Sequence, residues 1–162
     1  MNRLTKTLAL AAVVLAGAFG ATAAQASANN FNVDFKIHDA DASVSMIRIT
    51  DPLPSGITGL ITPASAIAAG GNDPSTGYAV WSGTLPGLNF SSSVSLVYGR
   101  ASDGGSQCTF TMTVKHDSNV LPYLLTLSES GPACSVSTSS ARTSDGQFTP
   151  STPYQFNWVN TP

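Results

Sequence analysis

The chain has 162 residues, with seven Lys and Arg against nine Asp and Glu, a net charge of −2, and only 10% charged residues overall. Cations this sparse and scattered build no phosphate-binding stripe, which excludes nucleic acid and anionic membranes as expected partners. The two cysteines, an even count, fit one disulfide formed in an oxidising compartment.

Residues 1–26 carry the three-part pattern of a secretory signal. Arg3 and Lys6 form the positive start, Leu8 to Ala18 the apolar stretch, and Ala24-Gln25-Ala26 a small-residue cleavage site. Gly17 and Gly20 interrupt the apolar stretch, which is short for a membrane span, so cleavage is the expected outcome. Residues 27–162 then form a single domain with five cations (Lys36, Arg48, Arg100, Lys115 and Arg142) against nine acids. The expected product is soluble, without a transmembrane segment, and located in the periplasm or the medium; the alanine-rich signal has a bacterial character.

Phe31, Val33, Phe35 and Ile37 alternate with Asn32, Asp34 and Lys36, the cleanest strand pattern in the chain. His38-Asp39-Ala40-Asp41 reads as a bend, after which Ser43 to Ile49 is expected to return as a less regular strand. Thr62 as cap, Pro63 at the first helical position, Ala64 to Ala69 and Gly70 outline one short helix. Tyr78 to Leu85 and Ser93 to Gly99 follow as strands. In Cys108 to Lys115, Phe110, Met112 and Val114 alternate with threonines, and His116-Asp117-Ser118-Asn119 is expected to be an exposed hairpin tip that returns the run from Val120 antiparallel. Cys134 then lies near Cys108, and a bond between them closes a loop worth ~3–4 kcal/mol in the chain-entropy model. Ser135 to Ser139 is expected at a sheet edge, and Ser144-Asp145-Gly146-Gln147 reads as a tight turn. Pro150 and Pro153 are expected to keep the following segment from central pairing. Tyr154, Phe156 and Trp158 close the chain as an aromatic strand face.

Many short strands with regular turn signals predict an all-β fold, an antiparallel β-sandwich of immunoglobulin-like or jelly-roll-like type with at most one short helix. Ser and Thr rather than charge occupy most outward positions, which leaves self-association open.

Catalytic constellations are missing from the pattern. Two distant histidines and two paired cysteines supply no metal set, and the densest acidic stretch, Asp34 with His38-Asp39-Ala40-Asp41, lacks the glycine of a calcium loop. No nucleophile elbow surrounds a serine, and no cofactor is implied. Asn89-Phe90-Ser91 matches a glycosylation acceptor, which carries no weight in a bacterium. Trp81 is expected in the core, whereas Tyr154, Phe156 and Trp158 are the candidate binding residues because their strand is able to present an aromatic face to a partner. The expected function is a non-catalytic module that binds a glycan or a protein surface. The alternatives are a fimbrial-type subunit that donates Phe31 to Ile37 to a neighbouring sheet, and a small membrane-acting sandwich. A hydrolase built from scattered loop residues is the remaining reading.

Overall fold

The computed structural model describes residues 30–161, apart from 61–65, 76, 86–88, 118–119 and 133. Residues 1–26, expected to be a secretory signal, and residues 62–65 of the helix candidate lie outside them.

Thirteen strands and no helix occur among the described residues. They form two mostly antiparallel sheets packed face to face, a β-sandwich that does not close into a barrel. The first sheet runs in the order Cys134–Val136 (β10), Tyr154–Trp158 (β13), Asn30–Asp39 (β1), Ala79–Thr84 (β6) and Ile57–Thr58 (β3). Gln147–Phe148 (β12) and Asn72–Asp73 (β5) also pair with β1. The second sheet runs Ser140–Thr143 (β11), Val120–Ser130 (β9), Cys108–Asp117 (β8), Phe90–Arg100 (β7), Met46–Arg48 (β2) and Ala66–Ile67 (β4).

Period-two alternation places the core. Phe31, Val33, Phe35 and Ile37 of β1 are all fully enclosed, and they face Leu96, Tyr98, Phe110, Met112, Val114, Leu125 and Leu127 of the second sheet. Side chains of this kind each contribute ~1.5–3 kcal/mol on burial. Phe156 joins the two layers, with its ring centroid 6.5 Å from Phe35 and 5.0 Å from Phe110. β1 is internal to its sheet. It pairs antiparallel with β6 on one side and parallel with β12 and β13 on the other. Donating Phe31 to Ile37 to another molecule would therefore tear out a central strand.

The central hairpin forms as its alternation implies, with Thr111 opposite Ser128 and Thr113 opposite Thr126. Cys108 and Cys134 are bonded, with Cα atoms 5.7 Å apart. Cys134 begins β10 and pairs with Trp158 in the first sheet, so the disulfide joins the two sheets rather than the two arms of the hairpin. Gly131 makes this corner possible. Its φ is +137°, and a Cβ there would sit 2.3 Å from the Gln107 carbonyl oxygen and 2.8 Å from the Cys134 sulfur.

Four expectations are corrected. Ala66–Ile67 is a strand paired with Met46–Ile47, not helix, because a segment under two turns long has too little helical stability of its own and Ile67 gains burial in the core. The stretch after Asp41 does not return beside β1. Asp41 accepts bonds from the Ser43 and Val44 backbone nitrogens at 2.7 and 3.0 Å, and the chain crosses to the second sheet, where Met46 and Arg48 point inward. The tip of the β8–β9 hairpin starts later than expected, since β8 continues to Asp117 and alternation turns His116 inward to 6% exposure. β13 starts directly after Pro153 and is paired on both sides, so the prolines limit its length and not its position.

Beyond β13 the chain is clamped. Trp158 Nε1 donates to the Ser106 carbonyl at 2.6 Å, and Arg100 donates to Asn160 Oδ1 at 2.9 Å and to the Thr161 carbonyl at 3.2 Å. Ser106 Oγ donates to the same Thr161 carbonyl at 2.6 Å.

Candidate functional site

Of the aromatic residues expected to form a binding face, Phe156 and Trp158 are fully enclosed, and Tyr154 is half-buried against the core. Their face looks inward, because β13 lies between β1 and β10 and its alternation is in phase with the core. Trp81 is also core, 3% exposed and edge-on to Phe31 at 4.6 Å.

The acidic stretch after β1 is dispersed by the same alternation. Asp39 is fully enclosed, Asp41 caps its own turn, and the His38 ring nitrogen Nδ1 lies 3.0 Å from the Gly71 carbonyl oxygen. Among the described residues, no three His, Cys, Asp or Glu side chains gather as a metal set would. Burial pushes the Asp39 carboxyl up to about 6, against the opposing pull of backbone donors from Asp41 and Met46. A carboxyl that binds its proton more tightly when folded stabilises the fold as pH falls from above 6 towards its unfolded value near 4. Asp41 and Asp145 act in the opposite sense, since hydrogen bonds hold both below the usual range and their contribution is lost on further acidification. Urea denaturation between pH 4.5 and 8 is expected to show stability rising towards the acid end. In Asp39→Asn that slope should flatten, and a retained slope would assign the effect to another group.

A buried polar group that the sequence did not reveal joins the sheets near the same end. Tyr98 donates to Asp73 Oδ2 at 3.0 Å, and burial followed by the Asp73 charge pushes its hydroxyl well above the usual phenol range. Arg48, 3% exposed, is opposite Tyr98 in register. Only inward alternation reveals these residues, and it requires knowing that β2 belongs to the second sheet. The group is closed to solvent, so its role is in packing the layers.

Accessible hydrogen-bonding side chains collect at the other end of the sandwich, where the chain passes from β6 to β7. At the start of β7, Phe90 is 44% exposed, an unusual position for a large aromatic side chain. It walls a hollow of about 300 Å³ with Asn89, Ser91, Lys115, His116 and Asp117. Each is placed for a reason. Asn89 holds φ at +65°, a left-handed conformation that asparagine tolerates, immediately before β7. Phe90 pairs with His116 and Ser91 with Lys115, so both strands end together. His116 stacks on the buried Tyr123 ring at 4.2 Å and 15°, which fixes the floor.

Across the crossover, Asn30 pairs with Thr84 at the opposite margin of the same end. Asn30, Asn32, Ser82 and Thr84 line a second hollow of about 320 Å³ over Phe31 and Gly83.

The chain matches no family model, no curated protein and no solved structure. Function is therefore argued from the site itself. The hollow at Phe90 is lined by one aromatic residue and by polar and charged residues, a composition suited to holding a polar ligand with one apolar face. The sequence pointed at this stretch only as a glycosylation acceptor. Phe90 is in phase with the inward residues Val94, Leu96 and Tyr98, so alternation alone places it on the core face; its exposure follows from its place as the first residue of β7, at the end of the sandwich, which no local pattern marks.

Proposed function

We propose that the protein is an exported, non-catalytic module that binds a glycan at the Phe90 end of the sandwich. The observation that carries this reading is the half-exposed Phe90 ring in the wall of a polar hollow. Sugar rings combine an apolar C–H face, which stacks on an aromatic ring, with hydroxyls that both donate and accept, and Ser91 and Lys115 are the polar residues of the lining that complement them. The disulfide supports export, since such bonds persist outside the reducing cytoplasm. The full chain, screened on a glycan array, is expected to bind a small set of related saccharides. Phe90→Ala should weaken that binding at least tenfold while the thermal midpoint moves little, because an exposed ring contributes little to the fold. A blank array, or binding untouched by Phe90→Ala, would overturn the reading, and capture of peptides in place of saccharides would redirect it to a protein surface.

A further inference from the structure

We infer that the amide-lined hollow at the start of β1 is a second subsite, selective for neutral sugar units, so that the module grips one extended glycan at two places. This rests on the glycan reading above. The lining side chains that reach the hollow, Asn30, Asn32, Ser82 and Thr84, carry no charge at any ordinary pH. Their orientation is already fixed. Asn32 Nδ2 donates to Gln147 Oε1 at 2.6 Å, and Thr84 Oγ1 donates to Asn30 Oδ1 at 3.3 Å. These bonds use one end of each asparagine amide. The Asn32 carbonyl oxygen and the Asn30 amide nitrogen are left without a partner among the described residues.

An acceptor and a donor on one strand face match sugar hydroxyls, each of which gives and receives a hydrogen bond. Because the amides are held before any ligand arrives, little side-chain freedom is lost on binding. Charged ligands are disfavoured. No cation in the lining can pair with a carboxylate or phosphate, and no acid can pair with an amine. The two hollows are joined by the crossover from Thr84 to Phe90, five residues between them, which sets the Cα atoms of Thr84 and Phe90 at most ~22 Å apart, so a short oligosaccharide reaches from one to the other.

The test is calorimetric titration of the full chain with neutral β-1,4-linked glucose and N-acetylglucosamine oligomers, from disaccharide to hexasaccharide, and with the uronate hexamer as charged control. Affinity is expected to rise about tenfold with length for the neutral series, the equivalent of two further hydrogen bonds, and not for the uronate. Asn32→Ala and Asn30→Ala should each remove most of that gain and leave disaccharide binding unchanged, with the thermal midpoint held in Asn30→Ala and lowered in Asn32→Ala by loss of the Gln147 bond, whereas Phe90→Ala weakens both short and long ligands. Asn30→Ala leaves the Asn32–Gln147 bond in place, so agreement between the two variants excludes a folding defect. If both asparagine variants bind the hexasaccharide as tightly as the parent while Phe90→Ala does not, the second subsite falls and the Phe90 site stands. If no oligomer of either series binds, the second subsite falls, and the glycan array alone decides the Phe90 site.

Discussion

Replacing Trp158 by alanine is expected to lower the stability of the domain by ~3–5 kcal/mol, the largest effect of any single truncation foreseen for this chain. Trp158 is fully enclosed, lies between the partners of β13 in the first sheet, and ties its indole nitrogen to the Ser106 carbonyl at 2.6 Å. Truncation therefore opens a cavity and takes the donor from a part-buried carbonyl, and the two costs add. Trp158→Phe separates them, since it keeps most of the volume and loses only the bond, with an expected cost of ~1–2 kcal/mol. Urea midpoints of the two variants decide the matter. A small effect from Trp158→Ala would mean that the clamp between the 101–107 loop and residues 158–161 holds without the indole.

The second large effect is expected from the disulfide. Changing Cys108 and Cys134 together to serine should lower stability by ~3–4 kcal/mol, a large part of the 5–15 kcal/mol typical of a small domain. The loop closed by the bond spans 26 residues and contains the whole of β9. Because Cys108 is in the second sheet and Cys134 in the first, the bond also restrains how the layers slide past each other. Two-state unfolding in urea, with and without reductant, measures the difference. Equal midpoints for the parent and the double variant would show that the unfolded chain is already compact around this corner.

The fold was largely legible because burial in a sandwich writes itself as alternation. β8 shows an unbroken period of two and β1 the same period broken only at the buried Asp34, and both are internal strands with one face in the core. Legibility failed where a strand is too short to show a period. β2, β3, β4 and β5 have two or three residues each, and their sheet is decided by tertiary contacts that no local pattern encodes. The inward turn of His116 was missed because His-Asp-Ser-Asn reads locally as a turn, whereas ladder pairing with Phe90 carries the strand two residues further. For the site, the sequence pointed to aromatic residues by type. Phe156 and Trp158 are enclosed because they fall on the inward positions of β13, a strand paired on both sides. Phe90, the same side chain as Phe156, stays half-exposed because it stands at the first position of β7, at the end of the sandwich.

The parallel pairing of β1 with β13 has a mechanical consequence. Force entering at Asn30 and leaving at Trp158 pulls these neighbouring strands in opposite directions along their length, from the register of Phe35 with Tyr154 to that of Asp39 with Trp158. The ladder bonds are then loaded together in shear, and none can be peeled open ahead of the others. A domain wired in this way resists extension far better than one whose terminal strands unzip.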